Sequence, residues 1–313
     1  MWPQAKKLKD MGVLGINKRN ADYTLKHNPR SLYRLVDDKL RTKQLAEKAG
    51  IAVPKLYGVV EFQRQIKDVA AFLKPYPEFA VKPACGSGGD GIIVFSGISR
   101  DMYRKVNGML ITIEELKHHF SNILSGMYSL GGHPDKALIE YCVHFDPVFE
   151  GICYQGVPDI RIIIFLGVPV MSMVRLPTRF SQGKANLHQG AIGVGIDIPT
   201  GTTLSAVWRN EIIEEHPDTG NPVTGLTIPG WEPLLYLASR CYELTGLGYQ
   251  GVDIVLDEKL GPMILEINAR PGLNIQIANR AGLLQRLKLI EQNKPKSLHI
   301  EDRIVFAKRN FAT

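Results

Sequence analysis

Cysteine is scarce in this chain: it occurs at positions 85, 142, 153 and 241 of 313 residues, and no two form a CxxC pair. That spacing argues against a thiolate zinc site and against a disulfide framework, and it makes a reducing cytoplasm the expected location. Long apolar runs are missing too. The most apolar stretch, RIIIFLGVPVMSMVRL, is too short to cross a bilayer and is broken by Gly-Val-Pro, so it reads as a hairpin and no membrane span is expected. The N-terminus has no apolar h-region, so no signal peptide is expected. Internal repeats and low-complexity segments are absent. Acidic residues are in deficit, 31 against 38 Lys and Arg, giving a formal net charge of +7. This favours anionic partners, whether nucleotides, acidic substrates or nucleic acid, without choosing among them. A nucleic-acid stacking surface interleaves aromatics with its basic residues, a pattern this chain lacks.

What is present is an ordinary globular composition, 44% hydrophobic and 22% charged, long enough for two or three lobes around a large core. The most informative stretch is GYQGVDIVLDEKLGPMILEINARPGL, residues 248–273. Val252, Ile254 and Leu256 alternate with Asp253, Val255 and Asp257. Met263, Leu265 and Ile267 alternate with Ile264, Glu266 and Asn268. DEKLGP joins the two runs as a turn. Alternate residues of a strand share a face, so Asp253, Glu266 and Asn268 can converge as oxygen ligands. Hard oxygens, few in number, suit Mg²⁺ shared with phosphates. The plain alternative is a half-exposed hairpin with a polar solvent side. Carboxylates among such apolar runs need a partner or a metal, however.

FAVKPACGSGGDGIIVFSG is the second such stretch. Gly86, Gly88 and Gly91 match GxGxxG, but the IIVF run after them is β-branched and aromatic and reads as a strand, which excludes a dinucleotide-binding turn into a helix. A strand–glycine loop–strand hairpin lets backbone N–H groups approach phosphate oxygens. Lys82, at the end of the first strand, is placed to neutralise a phosphate. Cys85 reads as a small filler. Helices are expected after Asn20 as a cap, from Lys39 to Gly50, and after Thr112, where Thr112 and Glu115 form a capping box. His118 and His119 are neighbours on that last helix, cannot share a metal, and are expected at the surface. WEPLLYLASRCYELTGLG is a further helix, ended by Gly246, that should pack behind the metal hairpin.

GVDIVL…GPMILEINARPGL resembles the metal-binding C-terminal signature of ATP-grasp ligases, most closely the branch containing the ribosomal-protein glutamate ligases. The resemblance runs over roughly residues 35–285. It includes DK followed by a helix and GI.VP, the glycine loop, the strand ALIEYCVHF, and Asp159-Ile160-Arg161 followed by Lys184-Ala185-Asn186-Leu187-His188. It implies an α+β ATP-grasp fold in which two lobes clasp ATP: a short basic segment 1–36, an N-terminal lobe 37–136 with the flap, and a C-terminal lobe 137–313 with the Mg-binding hairpin. ATP-grasp proteins carry a full α/β domain ahead of the position of Lys39; here a truncated segment precedes it.

The resemblance also implies a role for each site residue. Lys39, Lys82, Gly86, Ser87, Gly88, Lys184 and Asn186 contact the triphosphate. Glu140 and Tyr141 lie at the adenine. Asp159 holds the ribose, with Asp146 and Glu150 as alternatives. Lys82, Arg161 and Lys184 are the catalytic candidates. Lys82 and Lys184 can balance the charge of the nucleotide, which leaves Arg161, Arg175 and Arg270 over, and their planar forks suit a second carboxylate on the substrate. Asp253, Glu266 and Asn268 bind Mg²⁺, with Mn²⁺ as a substitute. The implied reaction joins a carboxylate to an amine through an acylphosphate, with glutamate or another acidic amino acid or peptide as substrate. A small-molecule kinase and an ATP-grasp protein of a cell-surface sugar pathway are the alternatives, and a homo-oligomer is compatible with all three.

Overall fold

The structure is a computed structural model that describes residues 3–86, 88–99, 102–293 and 299–312. Its frame is two antiparallel sheets. The smaller contains β1 (Leu56–Val60), β2 (Phe79–Pro83), β3 (Ile93–Ser99), β4 (Met102–Lys105), β5 (Leu110–Ile111) and β6 (Ala137–Glu140), in the order β1-β6-β2-β3-β4-β5. The larger contains β7 (Asp159–Phe165), β8 (Val168–Leu176), β9 (Ile192–Ile196), β10 (Thr203–Trp208), β11 (Glu211–Ile213), β12 (Tyr249–Asp257) and β13 (Gly261–Asn268), in the order β11-β10-β9-β8-β7-β12-β13. With helices packed on these sheets, the class is α+β.

Each sheet has its own apolar core. The smaller packs Phe79, Val81, Phe95 and Ile139 against Leu116, Phe120 and Ile123 of the helix Ile113–Leu124. That helix begins with the expected box: Thr112 Oγ1 accepts from Glu115 N–H at 3.2 Å, and Glu115 Oε2 accepts from Thr112 N–H at 2.7 Å. In the larger lobe, β12 is buried along its whole length and β7 nearly so, so the polar side chains they carry, Asp253 and Asp159 among them, need partners inside the protein. The helix Trp231–Thr245 lays Leu234, Leu235, Ala238 and Cys241 onto this core and ends at Gly246 in the left-handed conformation.

Three local expectations are corrected. Asn20 does not cap a helix: helical backbone runs through it, as Ile16–Lys18, a π-helical Arg19–Thr24 and Leu25–His27. The alternation in β13 is broken by a β-bulge beside Asp253, where Glu266 faces Asp253 but Ile264 faces Ile254, so Leu265 is the extra residue. His119 is buried, because it lies three residues after Leu116, on the helix face that enters the core.

The basic N-terminal segment is bound to the larger lobe. Asn28 accepts from the Tyr249 N–H at 2.9 Å and donates to the Tyr249 and Ala269 carbonyls. Arg19 donates to the Pro271 carbonyl at 2.9 Å, and Tyr23 sits in the main core. These contacts brace the strand ends that carry the metal candidates. Among the described residues, no helix is long and apolar enough to cross a membrane.

Candidate nucleotide and metal site

The helix Lys39–Lys48 starts at the edge of the cleft, with Asp38 capping it by accepting from the Leu40 and Arg41 N–H groups. Lys39 reaches both walls. Its Nζ donates to the Gly86 carbonyl at 2.5 Å and stands 3.5 Å from Glu266 Oε1. The glycine loop takes its shape from Gly88 (φ 67°) and Gly91 (φ 75°), where a side chain would strain the backbone. A Cβ on Gly91 would also lie 2.6 Å from the Tyr128 ring. Ser87 lies outside the described residues.

The loop rests on the larger lobe. Asn186 Nδ2 donates to the Gly88 carbonyl at 3.1 Å, and Lys184 Nζ donates to Asp90 Oδ1 at 2.9 Å. Behind the loop, His119 Nε2 is 2.9 Å from the Gly91 carbonyl. Cys85 N–H donates to the Asp135 carboxylate. Burial, and then Asp135, push the Cys85 thiol up to about 11, consistent with a filler and not a nucleophile.

Lys82 and Glu140 project from the neighbouring strands β2 and β6, where Ala80 pairs with Glu140 and places Lys82 on the same face. Lys82 binds Glu140 Oε2. Lys43, from the second turn of the Lys39–Lys48 helix, binds Oε1 at 3.2 Å and also donates to the Pro54 carbonyl. Burial pushes the Glu140 carboxyl up, but the two ammoniums outweigh it and hold it below the usual carboxylate range. Next to it, the Tyr141 N–H donates to the Lys55 carbonyl. Burial, and then a hydrogen bond to Asp257, push the Tyr141 hydroxyl up to about 12.

On the larger sheet the register places Asp253 opposite Glu266 and Gly251 opposite Asn268, so the three metal candidates share one face. Asp253 is fully engaged there. Arg161 holds it bidentately at 2.7 and 2.6 Å, Arg175 donates at 2.8 Å, and Asn268 Nδ2 donates at 3.1 Å. Burial opposes its charge, but Arg161 and then Arg175 prevail, and its carboxyl sits below the usual range. Arg175 also holds both oxygens of Asp159 at 2.5 Å. Asp159 is buried and its carboxyl is pushed up by that burial, with Arg175 opposing. Of the alternatives for the ribose, Asp146 caps the turn Pro147–Phe149 and Glu150 is exposed. His188 is exposed, with its N–H on Asn186 Oδ1.

Two carboxylates and an amide are the right donor chemistry for a hard divalent cation. Glu266 and Asn268 are partly open, and Asp253 can join only as its guanidinium partners give way. Lys43, Asp90 and His119 were missed by sequence reasoning. For His119 the i, i+3 spacing from Leu116 was an available signal; Lys43 and Asp90 find their partners in distant segments, and nothing local marks them.

A glycine loop held by lysines from both lobes stands beside a carboxylate pair, Asp253 and Glu266, on β12 and the edge strand β13 of the larger antiparallel sheet. The chain belongs to the sugar-transfer associated ATP-grasp family, whose sequence model matches residues 18–292. No curated protein matches it. Similar solved structures include the ATP-grasp ligase PsnB complexed with a minimal precursor, 13% identical over 86% of this chain and 64% of that one, TM-score 0.44. D-cycloserine synthetase DcsG is 17% identical over 85% of this chain and 72% of its own, TM-score 0.47. The D-alanine–D-alanine ligase from Bacillus anthracis is 13% identical over 88% and 68%, TM-score 0.42. The chain thus spans a little under two thirds of the length of PsnB.

Proposed function

We propose that this chain is an ATP-dependent carboxylate–amine ligase that works through an acylphosphate. The observation that carries the reading is the convergence on the glycine loop: Lys39 holds its Gly86 end while Lys184 and Asn186 hold Asp90 and Gly88 from the other lobe. A triphosphate between these groups would meet ammoniums from both sides and loop N–H groups from above. Lys39, Lys82, Lys184, Asn186 and the loop at Gly86, Ser87 and Gly88 take the phosphates. Glu140 and Tyr141 border the adenine. The ribose falls to Asp146 or Glu150, since both oxygens of Asp159 are held by Arg175.

Asp253, Glu266 and Asn268 would hold Mg²⁺, or Mn²⁺ in its place. When bound, the ion would supply charge stabilisation to the transferring phosphoryl group. Lys82 and Lys184 orient the phosphates for in-line attack by the substrate carboxylate oxygen. ADP leaves, the amine attacks the acyl carbon, and phosphate departs as the amide forms. No side-chain nucleophile is needed.

The acid is a glutamate-like amino acid or an acidic peptide end. The basic balance of the chain supports this, as does Arg270, exposed two residues beyond Asn268. The test is incubation with ATP, Mg²⁺ and pooled amino acids, with ADP release and a new amide mass as readouts. A stable phosphorylated product with no amide would move the reading to a kinase. A second reading is supported by the family itself: the acid or amine is carried on a sugar, in a sugar-transfer pathway.

A further inference from the structure

The nucleotide site contains one cation more than a salt bridge requires. Lys82 and Glu140 on adjacent strands would already form a neutral pair, and a buried lysine is costly to add. Yet Lys43 is present, its side chain 6% exposed beside Lys82 at 10% and Glu140 at 2%. It lies one helical turn after Lys39 and so faces the same cleft wall. Burial pulls the Lys43 ammonium down from its ordinary range, with Glu140 acting against that. Two ammoniums share one carboxylate, each on its own oxygen.

We propose that Lys43 is a positioning residue for nucleotide binding: by taking one oxygen of Glu140 it leaves the buried group one positive charge in excess, and so keeps the Lys82 ammonium available to a phosphate. This rests on the reading that ATP binds here. Without Lys43, Glu140 would hold Lys82 in a neutral, closed pair, and the phosphate would face an ammonium whose charge is already cancelled. In a low-dielectric pocket that difference is large compared with its value in water. Lys43 therefore acts on phosphate through Lys82, and it has no part in holding the nucleoside.

The alternative is that Lys43 only ties the Lys39–Lys48 helix to β6. The two differ in what they do to a charged and an uncharged ligand. ATP and adenosine are titrated by competition against a fluorescent adenine nucleotide, and the ratio of their affinities is the readout. In Lys43→Met the ATP-to-adenosine ratio is expected to fall by about tenfold. In Lys43→Met/Glu140→Met, where Lys82 again carries an uncancelled charge, the ratio should return to within about threefold of wild type. The ratio cancels any loss of adenine contact at Glu140.

An equal loss of ATP and adenosine in Lys43→Met, or an unchanged ratio, overturns the proposal while leaving the ligase reading intact. If Lys43→Met does not fold, Lys43→Gln, which keeps a hydrogen-bonding group beside Glu140 but no charge, decides by the same ratio: a fall of about tenfold supports the charge account, and an unchanged ratio overturns it. A wild-type protein that binds no ATP overturns both the proposal and the reading beneath it.

Discussion

Asp90 of the glycine loop and Lys184 of the opposite lobe meet at 2.9 Å, so a partly exposed ion pair joins the loop to the larger lobe. The hydrogen bond from Lys184, and then its charge, hold the Asp90 carboxyl below the usual carboxylate range. Gln189 adds a weaker contact at 3.4 Å, and Asn186 pins the neighbouring Gly88 carbonyl. A phosphate that uses Lys184 must take it from Asp90.

That competition gives the first prediction. Exposed ion pairs contribute at most about 1 kcal/mol, so Asp90→Asn should tighten ATP binding by no more than about fivefold. The same change should speed hydrogen exchange at residues 88–93 in the absence of nucleotide, because one of the loop's tethers is gone. Nucleotide titration and exchange mass spectrometry check both. Weaker ATP binding in Asp90→Asn would show that the carboxylate helps to hold the ligand and does not compete with it.

The two carboxylates of the proposed metal face should separate under mutation. Glu266 is one third exposed and touches Lys39 at 3.5 Å, whereas Asp253 is sealed beneath Arg161 and Arg175. Glu266→Gln should change stability by no more than about 0.5 kcal/mol yet abolish Mg²⁺-dependent ADP release. Asp253→Asn leaves two buried guanidiniums short of a partner and should cost about 3–5 kcal/mol in addition. Urea melts beside an ADP-release assay distinguish them. A fully active Glu266→Gln protein would remove it from the metal set.

His119 gives a pH dependence. Burial lowers its pKa from the ordinary 6.5, with the Gly91 carbonyl opposing. The folded state therefore binds the proton less readily than the unfolded chain does. The stability it contributes is fully present above pH 6.5 and is lost as pH falls towards the depressed folded value. His119→Gln removes this titration. It should cost about 1–2 kcal/mol at pH 7.5, through the lost buried contact, and less at pH 5. Urea midpoints of both proteins at the two pH values measure it; a gap that widens on acidification would contradict the assignment.

The frame of the site was readable because it rests on local periodicity. Alternation placed Asp253, Glu266 and Asn268 on one strand face, and the register agrees. Gly246 ended its helix, and Thr112 with Glu115 began another, because caps act within a few residues. The bulge at Leu265 was not readable, since an extra residue in one strand appears only against its partner. Neither was the pairing of charges. Arg161 and Arg175 looked like spare cations along the chain, and only the β7–β8–β12 layering brings them onto Asp159 and Asp253. Lys43 was hidden in the same way, since its partner Glu140 comes from a strand almost a hundred residues further along the chain.

That pairing changes how substrate class must be tested. Arg175 is bonded to Asp159 and Asp253, and Arg161 to Asp253, so neither guanidinium is ready to receive a carboxylate. Replacing Arg175 with Met breaks a buried network, and its first effect should be a loss of about 3–5 kcal/mol in stability, whatever the substrate. Arg270 is different: it is exposed, stacked over Tyr33 at 5.2 Å, and lies two residues after the end of β13. Its planar fork suits the second carboxylate of an acidic amino acid. Glutamate should therefore stimulate ADP release more than alanine does. Arg270→Met should raise the KM for glutamate by about tenfold, the value of one charge-assisted contact, while ATP affinity stays within about threefold. Kinetics with glutamate, alanine and an amino sugar, run side by side on wild type and Arg270→Met, measure this. If the amino sugar is the best stimulant and glutamate is inert, the acidic-substrate reading fails and the sugar-linked acceptor takes its place.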